Sequence, residues 1–187
     1  MSKSTPSYED LYQKQVELKE VDIAHWKHDD VFSVNWWILL LVMLTAWTIC
    51  WKIVDRKRLV PVLLYGAFAA LSSSFLDVLG TSVALWGYPD RLVPLIPPFF
   101  IFDFVTLPVV LLWVYQKYGD WKRFLIAATI VSASFAFGFE PFLEWRGMYR
   151  LHHWEYYYSF PIYIVFASVI KKVVDLVVAT QKKHAPH

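Results

Sequence analysis

Four acids set within apolar stretches of this chain could act chemically together: Asp77, Asp103, Glu140 and Glu144. An ionised carboxyl in hydrocarbon is costly and needs a partner, a proton or a ligand. A carboxyl that keeps its proton in an apolar site can donate a hydrogen bond or hand the proton on. An acid catalyst or a proton-coupled carrier uses that property. Glu140 and Glu144 lie one helical turn apart and so share a face, where two like charges oppose each other. Four basic residues follow them: Arg146, Arg150, His152 and His153. The expectation is that the loop carrying them lowers these groups onto the acids, with Arg146 and Arg150 as the natural ion partners. Asp77, Asp103, Glu140, Glu144, Arg146, Arg150 and His153 are therefore the candidate residues for binding a ligand or a proton. Each has a structural reading beside the functional one. Asp77 follows Ser72-Ser73-Ser74 and precedes Thr81, so it could tie helices together. Glu140 and Glu144 could form a salt-bridge clasp with the two arginines. No HExxH or similar spacing points to a metal, and no cofactor motif is present.

The elements that must position these groups are membrane helices. Five apolar runs are each long enough for a span of roughly 20 residues. They cover residues 34–54, 60–79, 92–115, 124–145 and 157–178. The third contains Pro94, Pro97, Pro98 and Pro108, which predicts an irregular outer end and a kink. At a rise of about 1.5 Å per residue, Asp77 lies roughly 26 Å above the inner end of its span, and Glu140 stands at nearly the same height. Asp103 enters from the other side, roughly 14 Å below Pro94 if that segment is helical. The fold expected is all-α: a polytopic helical bundle in which three helices deliver carboxyls to one level in the outer half of the bilayer.

Composition agrees with that class. Hydrophobic residues make up 57% of the 187, and only 18% are charged, against about a quarter in soluble domains. The ten tryptophans suit a chain that crosses two water–lipid boundaries. A net charge of +2 with no basic, aromatic-interleaved patch argues against nucleic acid as a partner. The single Cys50 excludes a disulfide framework.

Residues 1–33 are polar, without the early apolar core of a cleavable signal peptide. Tyr8, Leu11, Tyr12, Val16, Ile23 and Trp26 fall at loose helical spacing, which predicts a short amphipathic helix on the bilayer surface. Residues 34–180 form one transmembrane domain, and 181–187 a cytoplasmic tail. Eleven basic residues gather around the ends of the first, third and fifth runs, whereas the opposite side holds Arg91, Arg146 and Arg150 in its loops and four lysines in the N-terminal segment. The richer side is read as cytoplasmic, which puts the N-terminus outside and the C-terminus inside.

Several of these residues also resemble a known family. Trp36-Trp37, Leu76-Asp77 with Leu85-Trp86 and Tyr88, and the segment from Pro108 to Tyr118 carry the likeness. It continues through Glu140-Pro141, Gly147-Met148-Tyr149, Trp154 and Ser159-Phe160-Pro161-Ile162-Tyr163. Together they are similar to a group of small multi-pass membrane proteins of Bacillus, Clostridium and related spore-forming Firmicutes. That resemblance implies a plasma-membrane location and a multi-helix fold, and supplies no activity. A weaker likeness lies in Leu76 to Pro89. Its Asp-x-x-Gly and Trp-x-Tyr-Pro elements look like those of the small membrane lycopene cyclase subunits, which implies acid catalysis on a long isoprenoid. The Pro-x-Glu-Glu motif of those proteins is missing; the place reads Pro97-Pro98-Phe99-Phe100, with Asp103 further on.

Three functions compete on these grounds. The first is a binding, sensing or transport module with a carboxylate-lined pocket, whose ligand is a small molecule, an ion or a lipid. The second is a structural or partner subunit, paired with another membrane protein or a second copy. The third is a membrane-embedded enzyme acting on a lipid or isoprenoid. An apolar groove opening sideways beside the acids would favour the enzyme on a lipid or isoprenoid; an aqueous funnel to the outer surface would favour the binding, sensing or transport module.

Overall fold

The computed structural model of the chain describes residues 5–94 and 99–184. Its elements are almost entirely helical. Helix α1 covers Tyr8–His25, α2 Val34–Ile53, α3 Leu59–Ser82, α4 Leu107–Lys117, α5 Trp121–Ser134, α6 Glu140–Trp145 and α7 Tyr156–His184. Three helices are long and apolar enough to cross a membrane: residues 34–53, 56–82 and 121–145. Leu71, Phe75, Ile130, Val165 and Val169 are exposed on the flanks. So many large exposed apolar side chains fit a hydrocarbon surround better than water.

Local chemistry sets the helix ends. Ser7 and Asp10 close a capping box on α1, Ser33 accepts from the Trp36 backbone to start α2, and Asp120 accepts from that of Arg123 to start α5. α3 stops at Ala84, which takes a left-handed conformation with φ of 55°. The Leu85 amide then bonds the Gly80 carbonyl at 2.9 Å, and Ala84 bonds that of Thr81 at 3.1 Å. Gly147, with φ of 75°, ends α6 the same way, with Met148 bonded to Leu143 and Gly147 to Glu144.

The core lies where α3, α4, α5 and α7 meet. α3 turns a face of small residues, Gly66, Ala69, Ala70 and Ser73, inward, which lets helix backbones approach closely. Tyr65 stacks on Tyr115 with ring centroids 4.5 Å apart, and its hydroxyl donates to the Ala167 carbonyl at 3.1 Å. That one side chain joins α3, α4 and α7. α2 buries only Leu39 and Ala46 and is the peripheral helix.

Two wide helical turns, each with i→i−5 bonding, interrupt the bundle just before a proline. Phe102–Thr106 runs into α4 ahead of Pro108, with the Leu107 amide bonded to the Phe102 carbonyl. Phe135–Phe139 runs from α5 into α6 ahead of Pro141, with the Glu140 amide bonded to the Phe135 carbonyl. A proline ring clashes with the carbonyl four residues back, and opening the turn by one residue relieves that clash. The kink expected in the third apolar run thus takes the form of a widened turn. At its outer end Leu92, Val93 and Pro94 are not helical. Pro97 and Pro98 lie outside the described residues.

The N-terminal segment holds the helix expected there, α1, and none of its residues is buried against the bundle. Its far end leads through a wide turn, Trp26–Asp30, into a polar clasp on the loop after α3. Arg91 pairs with Asp22 at 3.1 Å, the Arg91 amide donates to Asp30 at 3.0 Å, and Trp26 donates to the Leu92 carbonyl. Burial pushes the Asp30 carboxyl above its ordinary range, against the lowering effect of the Arg91 amide. At the other end, α7 continues through residue 184, so most of the segment read as a tail is helix; residues 185–187 lie outside the described set.

Candidate functional site

Asp77 lies on α3, one turn before its end, and is buried. One of its carboxylate oxygens accepts from the Trp86 indole at 2.9 Å and from the Tyr88 hydroxyl at 2.6 Å. These two donors are alternate residues on a short extended segment, so both side chains fall on one side of it. The segment is pinned in three ways. Strand β1, Trp86–Gly87, pairs antiparallel with β2, Arg150–Leu151. The amides of His152 and His153 both bond the Leu85 carbonyl. Tyr88 is sandwiched by stacking on Phe99 and Tyr149, with centroids at 4.4 and 5.4 Å.

Gly80 shows how tightly this strap closes. A Cβ at that position would meet the Trp86 ring at 2.1 Å. The indole therefore rests on the bare backbone of α3, one turn beyond the carboxyl it serves.

Asp103 approaches from the widened turn before α4. It is also buried. Ser73 of α3 donates to the Asp103 backbone carbonyl at 3.0 Å, fixing the approach. The second oxygen of each aspartate, Oδ2, is buried and has no N–H or O–H donor among the described residues. Both residues line one cavity of about 100 Å³, whose walls include Trp86, Tyr88, Tyr149, Trp154 and Tyr163.

Glu140 sits next to this cavity rather than in its wall. Ser159 and Tyr163 of α7, one turn apart, donate to its two oxygens at 3.1 and 2.8 Å. Both of these residues do line the cavity, and Ser159 in turn accepts from the Trp154 indole at 3.0 Å. The widened turn at 135–139 delivers Glu140 just as its counterpart at 102–106 delivers Asp103.

The remaining sequence candidates are placed elsewhere. Arg146 does not pair with Glu140 or Glu144. Its guanidinium donates to the Asn35 side chain of α2 at 2.6 Å, and Asn35 also holds Asp90 at 2.9 Å. Glu144 is exposed and accepts from the Tyr156 hydroxyl. Arg150 and His153 are exposed, and their segment works through its backbone as the partner of the strap. Among the described residues no ion pair joins these arginines to these acids. The reason is geometric: the tight end of α6 at Gly147 turns the chain into β2, so its basic side chains point away from the buried level. No cluster of three or more metal-ligating side chains occurs among the described residues.

Trp86, Tyr88, Trp154, Ser159 and Tyr163 were not among the site residues expected. Aromatic residues near span ends read as an interfacial belt, and that reading hid their role as donors. Two spacings carried the signal. Trp-x-Tyr beside a turn sets two donors on one side of an extended segment, and Ser159 and Tyr163 at i, i+4 set two on one face of a helix.

A second cavity adjoins the first. It is an apolar groove of about 400 Å³ between α3 and α7, lined by Ser72, Leu76, Ile162, Val165, Phe166 and Val169, among others. Leu76, Ile162 and Phe166 line both spaces. The groove opens on the same flank that exposes Val165 and Val169.

These features define a class: an all-helical protein with helices suited to a membrane and a buried carboxyl pair beneath an aromatic strap. No family model, curated protein or solved structure matches the chain.

Proposed function

We propose that this is a multi-pass plasma-membrane protein that binds a bilayer-soluble molecule. The ligand enters from the side, between α3 and α7, and places its polar end on the Asp77–Asp103 pair. One observation carries this reading: the carboxyl cavity and the apolar groove share the walls Leu76, Ile162 and Phe166. Among the described residues Ser72 is the only polar one lining the groove, so its surface suits an alkyl or polyprenyl chain better than a hydrated ion. The five apolar runs, with basic residues gathered on one side, support five spans with the N-terminus outside.

Two experiments test this. Protein extracted in native-membrane discs should carry an apolar molecule that is depleted in Val165→Trp, which blocks the groove, and in the Asp77→Asn/Asp103→Asn double variant. Identical lipid profiles in all three would sink the lateral-entry reading. In a Cys50→Ser background, a Thr5→Cys variant should react with an impermeant maleimide on whole cells and a Gln181→Cys variant should not. The opposite pattern would reverse the orientation.

A second reading is favoured by two buried carboxyls lining one cavity beside an apolar groove. That arrangement suits acid catalysis on a lipid or isoprenoid double bond, with Asp103 as the general acid. Conversion of the copurified molecule by wild type and not by Asp103→Asn would distinguish an enzyme from a binding module.

A further inference from the structure

The walls of the carboxyl cavity are depleted of free donors. The Trp86 indole and the Tyr88 hydroxyl are both donated to Asp77. The Tyr163 hydroxyl is donated to Glu140, and the Trp154 indole to Ser159. The Ser159 hydroxyl donates its own hydrogen bond to Glu140, and Ser73 donates to backbone carbonyls. Among the described residues Tyr149 has the one lining hydroxyl without such a bond, and no Lys, Arg or His lines the space. What chiefly faces the cavity is acceptors and ring faces: Oδ2 of Asp77, Oδ2 of Asp103 and the aromatic walls. Both aspartates are deeply buried, at 5% exposure each.

A site of acceptors and π faces, with one phenol to spare and no cation, is a poor host for a phosphate, a sulfate or a carboxylate. It matches a group that brings its own protons and positive charge. The cavity of about 100 Å³ corresponds to roughly three waters at ~30 Å³ each, which is room for an ammonium group and not for a large headgroup. The adjoining groove then takes an apolar chain. We infer that the ligand is an organic cation, a protonated amine carried on an alkyl or similar apolar tail. Its N–H groups bond Oδ2 of Asp77 and Asp103, and its charge lies against Trp86 and Trp154. The inference rests on the lateral-entry reading for the tail, and adds the chemistry of the head.

The test uses the full chain in nanodiscs of zwitterionic lipid, with tritiated decylammonium as probe and decanol and decyl sulfate as competitors. Decylammonium should bind saturably, with decanol at least about tenfold weaker, in line with the loss of a charge-assisted hydrogen bond. Decyl sulfate should not compete. Asp103→Asn should weaken binding by about tenfold or more, and Asp77→Asn/Asp103→Asn should remove it, with size-exclusion profile and apparent Tm matching wild type. The competition series needs no variant, so it decides the question even if a substitution fails to fold. Equal competition by decanol or decyl sulfate overturns the cation assignment and leaves the lateral pocket standing. Binding that survives the double substitution overturns it too. Val165→Trp separates the two ideas: loss of decylammonium binding supports entry through the groove, whereas unchanged binding defeats lateral entry while the cation assignment holds.

Discussion

Two buried charged sites lie at different levels of the same bundle, and they are built in opposite ways. About two turns further along α7 from Tyr163, Lys171 is almost wholly buried. It pairs with Asp175 at 2.9 Å and is ringed by Tyr115, Trp121 and Phe124 at 5.0 to 5.3 Å. Asp175 also accepts from the Tyr115 hydroxyl at 3.1 Å. That site is closed: charge, counter-charge, donors and ring faces are all matched. The Asp77–Asp103 site has the acids and the aromatic walls, but an open cavity and, among the described residues, no cation. Buried ionic groups that complete one another hold a structure together. Buried groups left incomplete are kept at the expense of stability where a ligand or a reaction needs them. On the proposed reading the carboxyl level takes the ligand, and the Lys171 level is the fastening.

Substitutions can break that contrast. The largest effect is expected at the strap: Gly80→Ala forces the Trp86 ring off α3 and strips Asp77 of a donor. Overpacking of this kind typically costs about 1–3 kcal/mol, and the apparent Tm in detergent should fall accordingly, with ligand binding lost as well. Lys171→Met should destabilise by about 2 kcal/mol, less than a fully buried pair because Asp175 remains 37% exposed. It should leave the carboxyl site working. Asp103→Asn should do the reverse, leaving the apparent Tm unchanged or raised while binding weakens by about tenfold or more. A Tm that falls as far for Asp103→Asn as for Lys171→Met would make the two sites alike and remove the argument for a ligand.

Smaller effects sharpen the frame around the site. Ala84 carries the left-handed penalty that Gly147 avoids, so Ala84→Gly should stabilise and Gly147→Ala destabilise by about 1 kcal/mol each. Opposite signs in thermal unfolding check both. The smallest concerns pH at the N-terminal clasp. The folded-state Asp30 carboxyl titrates above its ordinary value of 3.8, so the folded form holds this proton more tightly than the unfolded chain does. The contribution is most favourable below that value and is lost as pH rises through the elevated one. Limited proteolysis near residue 30 should therefore quicken slightly across that window, and Asp30→Asn should flatten the trend.

The frame of helices was legible because hydrophobic length speaks directly: the apolar runs at 34–54, 60–79 and 124–145 match helices of nearly the same bounds. The meeting of Asp77 and Asp103 was approached through depth alone, since the cost of an acid in hydrocarbon does not depend on its neighbours. What stayed hidden was the identity of those neighbours. Opposite charge made Arg146 the natural partner of Glu140, yet the backbone turn at Gly147 decides where that side chain goes, and it goes to Asn35. Neutral donors, Tyr163 and Ser159 for Glu140 and Trp86 and Tyr88 for Asp77, took the places expected for ions. Their selection depends on the packing of α7 and on the strap, both of which are long-range.

The central claim is that the carboxyl pair opens to the bilayer rather than to water. Dicyclohexylcarbodiimide, an apolar reagent that attacks protonated carboxyls not paired with a cation, tests it most directly when its adducts are mapped by mass spectrometry in reconstituted protein freed of organic cations. Adducts should form on Asp103 or Asp77, should fall sharply in Val165→Trp, and should be scarce with a water-soluble carbodiimide. Modification confined to exposed acids such as Glu144, or a pair labelled equally well from water and with the groove plugged, would contradict the account.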